Sequence, residues 1–379
     1  MLSVTRAIEI IESNSSTLED ETIDLIDALN HNLSKDVFSL INFPPFDQSA
    51  MDGYALNFSE LSKQYRIIGE IKAGDRTFEK IIKKGEGVRI FTGAFVPKEC
   101  TTVVQQEWCK IKGHNLLIDR NITNNANIRK EGEQIKKGDL ALKKGSKITA
   151  PLIGYLTGIG LTKIKVTRKP TIGIVITGNE LKSPGAKLDH GEIYESNSLM
   201  LLAALKNYGY YKIQTYSCKD VYEHTELQIK KAINQNDVIL VSGGISVGDY
   251  DFVEKAFATL QVKKSFYKVN QKPGKPLFYG TKNKTHIFGL PGNPGAALNC
   301  FYIYVLRLLS NLSNVEYPLI ETSVSLNKEY IKKGKRAEFL KVTINKSKAT
   351  ICPYQNSSML RSFVFANGII FIDEKKEKI

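Results

Sequence analysis

The sequence predicts a multidomain α/β protein organised around a central doubly wound domain. Between residues 169 and 313, apolar runs of strand length alternate with helical patterns, which is typical of a doubly wound sheet with helices on its faces. Residues 46–134 instead carry short apolar runs between glycine-rich turns, and short apolar runs return in residues 314–379, which is typical of small β domains. The length of 379 residues fits two to four domains at ~100–200 residues each.

The N-terminal segments predict a helical and extended linker domain. Apolar residues recur at helical spacing in two stretches, and each stretch predicts a helix. The first contains Val4, Ala7, Ile8 and Ile11, and the second contains Ile23, Ile26, Leu29 and Leu33 after a cap at Thr17. Strands and a helix near residues 150–158 are predicted further along the chain. We expect residues 1–45 and 135–168 to form this linker domain together.

Residues 46–134 predict a small β-rich domain. Its strands are expected at the apolar runs 67–68, 88–91, 103–104 and 116–118. Residues 46–55 are predicted to be a loop, because they are mostly small or polar and because Asp52 followed by glycine favours a turn.

The later elements are predicted from apolar runs and helical periodicity. In the central domain, strands are expected at 171–176, 213–217, 237–242 and 285–290, and helices at 199–208, 223–234, 250–260 and 295–309. Beyond Pro318, strands are expected at 323–326, 339–344, 349–351 and 368–372. The simplest arrangement for residues 314–379 is a small C-terminal β barrel.

The composition narrows the class of protein. The formal net charge of +14 favours anionic partners, but basic residues occur as pairs and not as a stripe, so nucleic acid is not expected. The five cysteines form no C-x-x-C pair and the histidines form no zinc-type pair, so any metal is expected to be Mg²⁺ on oxygen ligands. We expect a cytoplasmic protein without membrane contact, because no signal peptide and no apolar stretch of ~18 residues is seen.

A glycine-rich loop follows the third predicted strand of the central domain. It contains Ser242, Gly243, Gly244, Ser246 and Gly248, and a predicted helix comes directly after it. Glycines allow a tight turn whose backbone N–H groups face a phosphate at a helix N-terminus. The spacing matches neither a P-loop nor a dinucleotide fingerprint. A tight turn without a ligand is the alternative interpretation.

A second loop of this kind follows the fourth predicted strand. It contains Pro291, Gly292, Asn293 and Pro294, and its prolines stiffen the backbone. Two loops at the carboxyl ends of strands in one sheet form a binding crevice. Between them the chain carries Lys268, Lys272 and Lys275, which suit a phosphorylated, strongly anionic small ligand. An exposed lysine loop is the alternative.

Several carboxylates near predicted strand ends and loops of this domain predict a metal site. The set contains Glu180, Glu192, Asp220, Asp249 and Asp251, of which Glu180, Asp220 and Asp251 are the expected metal ligands. Like charges beside a phosphate site repel one another unless a cation bridges them, which favours Mg²⁺. Helix caps would explain any one of these acids but explain the set less well.

Six motifs occur in order along the chain. They are Ser49-Ala-Met-Asp-Gly-Tyr-Ala55, Arg89-Ile-Phe-Thr-Gly-Ala94, Asn127-Ile-Arg-Lys-Glu-Gly132, Ser242-Gly-Gly-Ile-Ser-Val-Gly248, Lys272-Pro-Gly-Lys-Pro276 and Leu290-Pro-Gly-Asn-Pro294. Together they resemble the MoeA family of molybdopterin molybdenumtransferases, which is related to the gephyrin E domain and its plant counterpart. The resemblance covers essentially the whole chain.

The resemblance implies a specific activity and assembly. Such proteins insert molybdate into adenylyl-molybdopterin and release AMP, with Mg²⁺, during molybdenum cofactor biosynthesis. It also implies a MogA-like central domain and a homodimer, with a cleft between the central domain of one chain and the small β domain of the other. Asp52 and Thr92 would face the partner's crevice. A MogA-type adenylyltransferase and apo-molybdoenzymes are the further partners it implies.

The resemblance also assigns site residues. Asp52, Glu180, Asp220 and Asp251 match acidic positions of the family, Lys268 and Lys272 match its anion-binding lysines with Lys275 in the same loop, Pro291 and Pro294 match its proline loop, and Arg336 and Ser357 match positions that handle the anion. Gln134 and Asn179 stand where the family commonly has acids. These amides can still ligate Mg²⁺ but carry no charge, so metal affinity depends on the remaining acids.

Three other functions are weighed against this one. An adenylyltransferase acting on the same pterin would produce adenylylated pterin from ATP instead of AMP. A non-catalytic scaffold would bind receptor peptides, and the absence of a long linker argues against it. Nucleic-acid binding would need a basic stripe with interleaved aromatic residues, which the chain lacks.

Overall fold

The computed structural model describes residues 1–59, 62–245 and 252–379. Within them the chain divides into two compact units. The larger unit contains Met1–Glu21, Asn30–Asn32 and Val166–Ile379, and the smaller unit contains Thr22–Leu29 and Leu33–Lys165. In the parts of the chain just given, no helix combines the length and the apolar character needed to cross a membrane.

The first predicted helix is confirmed as α1, Val4–Ser13. The Ser3 side chain accepts a hydrogen bond from the Arg6 backbone N–H at 3.3 Å, which satisfies a donor that the first turn leaves unpaired. Val4, Ala7 and Ile11 are buried on one face of the helix, as the apolar spacing predicts.

The second predicted helix is wrong. Residues Asp20–Asp24 form strand β1, and Leu25–Ala28 form a single 3₁₀ turn. β1 pairs with β12, Lys163–Thr167. Ile26 is 73% exposed and Leu29 is 46% exposed, whereas Leu33 is buried, so the predicted apolar stripe does not form one buried face. The helical spacing of these residues was a coincidence that tertiary packing overrides.

The smaller unit is rich in β structure. Its strands are β2 Val37–Phe38, β3 Gln48–Ser49, β4 Gly53–Leu56, β5 Gln64–Ile71, β6 Glu86–Ile90, β7 Thr102–Gln105, β8 Cys109–Lys112, β9 Asn115–Ile118, β10 Ile128–Arg129 and β11 Leu140–Leu142. In the described part of this unit, six of them form a sheet in the order β7-β4-β6-β5-β9-β8. The four apolar runs predicted as strands all overlap strands of this sheet, and helix α2, Ala150–Gly158, lies where it was predicted.

The prediction that residues 46–55 form a loop throughout is wrong. Strand β4 begins at Gly53 and is buried along its whole length, because β6 and β7 pair with it on either side. A Cβ on Gly53 would lie 1.9 Å from the Val104 carbonyl oxygen, so only glycine fits this close strand pairing. Asp52 therefore occupies the short turn between β3 and β4.

The larger unit contains the predicted alternation of strands and helices. Its central elements are β13 Ile172–Thr177, β14 Leu181–Lys182, β15 Ile193–Tyr194, α3 Asn197–Asn207, β16 Ile213–Cys218, α4 Tyr222–Gln235, β17 Val238–Ser242, α5 Phe252–Thr259, β18 Lys263–Tyr267, β19 Gln271–Lys272, β20 Phe278–Lys282, β21 Thr285–Leu290, α6 Pro294–Cys300 and α7 Leu306–Leu312. One turn of π-helix, Phe301–Val305, joins α6 to α7.

Six of these strands form a mixed sheet within the described residues, in the order β16-β13-β17-β21-β20-β18. The first four are parallel, whereas β20 and β18 add an antiparallel edge that the sequence analysis did not predict. Alternate residues of β17 enter two different cores. Leu240 packs with residues of α3, α6 and α7, and Val241 packs with residues of α4 and α5. Helices therefore cover both faces of the sheet.

The C-terminal part of the larger unit forms a second sheet. It contains β22 Ser325–Leu326, β23 Ala337–Asn345, β24 Lys348–Ile351 and β25 Gly368–Ile372, together with β19 and the short helix α8 Arg361–Phe365. β23 is central, since it pairs with β19, β24 and β25. The four predicted C-terminal strands are therefore present. Closure into a barrel stays a prediction, as do the four domain boundaries.

The sheet topology brings several loops of the larger unit to one edge. In the parallel pair of β17 and β21, Ser242 lies opposite Leu290, so the chain leaves both strands at the same end. β20 runs antiparallel to β21 with Phe278 opposite Gly289, so the lysine-bearing segment 268–277 reaches the sheet at that end too. β13 and β16 end together, with Thr177 opposite Cys218.

Candidate functional site

The two predicted phosphate loops are joined by one side chain. The Asn197 amide nitrogen donates a hydrogen bond to Ser242 Oγ and another to the Gly292 carbonyl oxygen, each at 2.8 Å. Its own oxygen, Oδ1, is buried and finds no hydrogen-bond partner among the described residues. The sequence analysis missed Asn197, although its place at the start of α3, directly beyond a strand and loop, was a usable signal.

The glycine-rich loop turns sharply at Gly243. Its φ of +94° belongs to the left-handed region that favours glycine, and a Cβ there would lie 2.7 Å from the Thr177 carbonyl oxygen. Gly244 also has a positive φ, of +60°. Ser246, Gly248 and Asp251, which were predicted as site residues, lie outside the described residues.

The second loop contacts the C-terminal segment of the same unit. The Asn293 amide nitrogen donates to Ser357 Oγ at 2.9 Å, and the Ala296 backbone N–H donates to the Ser357 carbonyl oxygen at 2.9 Å. Asn293 and Ser357 are far apart in the sequence but are neighbours in the fold. Pro291 is buried in this loop, whereas Gly292 and Asn293 are exposed and Pro294 begins α6.

Asp220 is held by two donors from the end of β13. The Thr177 hydroxyl donates to Asp220 Oδ1, and the Asn179 backbone N–H donates to Asp220 Oδ2 at 3.0 Å. The Asp220 backbone N–H in turn donates to Asn179 Oδ1 at 3.1 Å. The carboxylate is thereby fixed at the edge of the sheet. Asn179 stands where the resembled family commonly has an acid. It is hydrogen-bonded directly to Asp220, and it adds no second negative charge beside that carboxylate.

Glu180 lies on the same strand end as Asn179. Its side chain is exposed, and Oε2 would lie 2.8 Å from a Cβ on Gly178, so the carboxylate folds back over the β13 loop. Within residues 1–59, 62–245 and 252–379, no group of three or more His, Cys, Asp or Glu residues is close enough to hold a metal. The carboxylate oxygens of Asp220 and Glu180 are nevertheless ligands of the kind that Mg²⁺ prefers, because Mg²⁺ is a hard cation that binds anionic oxygen atoms.

The three predicted lysines have different surroundings. Lys268 Nζ lies over the Tyr267 ring at 4.8 Å from its centroid, and Lys275 is exposed. Lys272 Nζ lies 3.7 Å from Oε1 of the buried Glu338, and Oε2 of the same carboxylate accepts a hydrogen bond from Tyr330 Oη at 2.7 Å. Glu338 was not predicted, because only the pairing of β19 with β23 places it beside Lys272.

Arg336 lies next to this lysine at the start of β23. Its guanidinium donates to the Gln271 carbonyl oxygen at 3.2 Å, so Arg336 and Lys272 occupy the same corner of the C-terminal sheet. The positions that the resemblance links to the anion are thus close together at Arg336 and Lys272. Ser357, which the resemblance also links to the anion, is placed by its contact with Asn293.

In the smaller unit, Asp52 and Thr92 form a direct pair. Asp52 Oδ1 accepts hydrogen bonds from the Thr92 backbone N–H and from the Thr92 hydroxyl, each at 2.8 Å. These donors, the backbone one first, hold the pKa of the exposed Asp52 carboxyl below its ordinary value, with a smaller contribution from the nearby Arg89. Gln134 is exposed, and its backbone N–H donates to the Phe43 carbonyl oxygen at 3.0 Å.

Comparison with known proteins covers nearly the whole chain. Residues 2–160 match the MoeA N-terminal region (domain I and II), residues 173–311 match the probable molybdopterin binding domain, and residues 323–379 match the MoeA C-terminal region (domain IV). The chain belongs to the MoeA family.

Individual relatives agree with this assignment. A molybdopterin molybdenumtransferase of Staphylococcus epidermidis is 31% identical over 98% of this chain and 91% of its own length. One of Haemophilus influenzae is 33% identical over 80% of this chain and 76% of its own length. The crystal structure of the molybdopterin biosynthesis MoeA protein from Pyrococcus horikosii superposes with a TM-score of 0.82 at 29% identity, covering 100% of this chain and 96% of that one. The prediction of a MoeA-family multidomain fold is confirmed.

Replacing Thr92 by Val should raise the pKa of Asp52 without restoring it to the ordinary value. The change removes the hydroxyl donor but leaves the backbone N–H, which is the larger cause of the lowered pKa. A carbon-13 NMR titration of the Asp52 carboxyl measures this. A pKa in the variant equal to that in the parent chain would show that the hydroxyl contributes nothing.

Replacing Asn197 by Ala should weaken binding of the pterin ligand by about tenfold. Two hydrogen bonds between the loops are lost, at ~0.5–1.5 kcal/mol each, so the loops spend less time in the arrangement that faces the ligand. Fluorescence titration with molybdopterin measures the affinity, and amide hydrogen exchange at residues 290–294 should become faster. Ser198→Ala is the matched control, because the Ser198 hydroxyl donates to Glu195 and, among the described residues, not to either loop. Equal affinities in the two variants would contradict the prediction.

Proposed function

We propose that this chain is a molybdopterin molybdenumtransferase, which inserts molybdate into adenylyl-molybdopterin and releases AMP during molybdenum cofactor biosynthesis. The observation that carries the proposal is the joining of the Ser242 and Gly292 loops by Asn197, beside the fixed carboxylate of Asp220. The named relatives of the MoeA family support the transferase class.

The ligand's phosphates are proposed to lie against the loops at Ser242–Gly244 and 290–294. Backbone N–H groups at tight glycine turns suit anionic oxygens. Lys268, Lys272 and Lys275 would neutralise the ligand's charge and attract the molybdate dianion, with Arg336 and Ser357 at the same end of the site. The dithiolene sulfurs of the pterin would bind molybdenum, so no cysteine of this chain has to act as a ligand. Burial raises the pKa of Cys218 to about 12, which keeps that thiol neutral.

Mg²⁺ is proposed to bind at Glu180, Asp220 and Asp251. Asp220 and Glu180 fit the ion, since they lie near one strand end and retain free acceptor capacity. When bound there, Mg²⁺ would polarise the phosphoanhydride of the adenylylated pterin. The Thr177 hydroxyl and the Asn179 backbone N–H would hold the Asp220 carboxylate in one orientation.

The assembly is proposed to be a cytoplasmic homodimer. In this arrangement the Asp52 and Thr92 pair of one chain completes the crevice of its partner. The four domains then correspond to residues 1–45 with 135–168, residues 46–134, residues 169–313 and residues 314–379, the last closing as a barrel. The proposed partners are a MogA-type adenylyltransferase, which would supply the adenylylated pterin, and apo-molybdoenzymes, which would receive the finished cofactor.

The deciding experiment is AMP release from adenylyl-molybdopterin by the purified protein, with and without molybdate and Mg²⁺. We expect release that depends on both ions and yields active cofactor. Tight binding of the pterin without release would indicate a chain that stores or scaffolds the cofactor. Formation of adenylylated pterin from ATP would instead identify an adenylyltransferase.

A further inference from the structure

Lys341 is a buried cation with few partners. It lies on β23 and shares a face of that strand with Ala337 and Phe339, which belong to the main core of the larger unit. Glu338 alternates with them and lies on the opposite face. The residue is 1% exposed. An ammonium group removed from water costs free energy unless an acid or several acceptors compensate it.

The compensation that Lys341 receives is small. Its Nζ donates to the Gln355 carbonyl oxygen at 3.2 Å and lies 5.6 Å from the centroid of the Phe363 ring. Across the described ranges no carboxylate forms an ion pair with it, and Glu338, three residues earlier on the same strand, is paired with Lys272 instead. Burial, with a further effect of Lys272, lowers the pKa of Lys341 to about 8, so the group is still largely protonated at neutral pH.

The segment that the Lys341 ammonium contacts, residues 355–357, is part of the candidate site. Gln355, whose carbonyl oxygen Lys341 holds, is also fixed by its side chain, which bonds the Lys341 backbone N–H at 3.0 Å and the Lys341 carbonyl oxygen at 2.8 Å. Two residues further on, Ser357 Oγ accepts the hydrogen bond from Asn293 of the second loop. Lys341 thus supports the stretch of chain that presents Ser357.

The charges around this corner do not balance. Lys272, Arg336 and Lys341 are cationic, and among the described residues Glu338 forms an ion pair with Lys272, whereas Arg336 and Lys341 donate to backbone carbonyl oxygens. Cys352 is the other titratable group that acts on Lys341. The excess of positive charge, partly withdrawn from water, suits an anion that carries two negative charges on a small volume.

We propose that Lys341 is a positioning residue for a tetrahedral oxyanion bound beside Ser357, Arg336 and Lys272. It fixes the Gln355–Ser357 segment and adds an unneutralised positive charge beneath it. The inference rests on the proposed function, since that function supplies molybdate as the oxyanion. Lys341 is not expected to touch the ion, because its ammonium is covered by the segment it supports.

The test is molybdate binding by the full chain with Lys341 replaced by Met. We expect the dissociation constant measured by calorimetry to rise about tenfold, which is ~1.4 kcal/mol. The thermal midpoint without molybdate should equal or exceed that of the parent chain. Burial lowers the pKa of Lys341 below that of an exposed lysine, so the charged form destabilises the folded state at pH 7, and Met removes that penalty.

Two further variants separate a positioning role from a purely structural one. Lys341→Arg keeps the charge and should bind molybdate within about twofold of the parent chain. Lys332→Met removes another buried lysine, which donates to the carbonyl oxygens of Asp373 and Glu374 at 2.9 and 2.7 Å. This control should lower the thermal midpoint and leave molybdate affinity unchanged.

Several outcomes would overturn the inference. Molybdate affinity in Lys341→Met equal to that of the parent chain would do so, whether or not the thermal midpoint is lowered. If the parent chain releases AMP in a molybdate-dependent reaction while Lys341→Met behaves identically, this inference fails and the proposed function stands. If the parent chain neither binds molybdate nor releases AMP, both fail.

Discussion

Replacing Asp220 by Asn should reduce molybdate-dependent AMP release by about 10²–10³-fold, comparable with the loss of one preorganised electrostatic contact in an active site. The substitution keeps the size of the side chain, and both hydrogen-bond partners of that side chain stay in place. The new carbonyl oxygen can still accept from the Asn179 backbone N–H, and the new amide can donate to the Thr177 hydroxyl, which reverses its role. What is lost is the negative charge, which a bound cation would need.

Three measurements separate this effect from damage to the fold. The thermal midpoint should change by no more than a few degrees, and the affinity for molybdopterin should be nearly unchanged. The concentration of Mg²⁺ needed for half-maximal AMP release should increase. Thr225→Ala is a control from the adjacent helix α4, since its hydroxyl donates to the Lys219 carbonyl oxygen and not to Asp220. AMP release by Asp220→Asn at the parent rate would remove Asp220 from the site.

Pairing an Asp52→Asn chain with an Asp220→Asn chain should restore activity that neither variant shows alone. In the proposed homodimer each crevice takes Asp52 from one chain and Asp220 from the other. A mixed dimer then contains one doubly altered crevice and one intact crevice, so about half of the parent activity is expected. Each variant dimer by itself should release AMP at about 1% of the parent rate or less.

Two different affinity tags on co-expressed chains allow purification of mixed dimers alone. A doubly tagged pair of Asp220→Asn chains is the control and should stay inactive. Restored activity in the mixed dimer supports a crevice shared between partners. An inactive mixed dimer would place Asp52 and Asp220 in the same chain's site, and failure to recover any doubly tagged species would contradict the homodimer.

The sequence predicted the elements whose pattern is local. The buried strands β13, β17 and β21 are short apolar runs followed by turn residues, and such runs indicate strands wherever they pack. The glycines after Ser242 predicted a tight turn, and Gly243 takes the positive φ that such a turn requires. The six motifs in order predicted the MoeA family, which the comparisons establish.

Other features depend on contacts between distant parts of the chain. The helix expected around Ile26 is absent because β1 pairs with β12 there and leaves Ile26 and Leu29 exposed, and β4 is a strand because β6 and β7 pair with it on both sides. The local sequence predicts neither feature, since burial depends on which segments of the chain pack together. The antiparallel edge formed by β18 and β20 went unpredicted for the same reason.

The same division holds within the candidate site. Residue types and spacing by themselves determined that this chain carries glycine loops, lysines and acids suited to a phosphorylated ligand. Tertiary structure decided that Asn197 joins the two loops, that Glu338 pairs with Lys272, and that Lys341 is buried without an ion pair to any acid in the described part of the chain. Hydrogen bonds and ion pairs act over a few ångströms, and the partners of these residues lie tens of positions away along the chain.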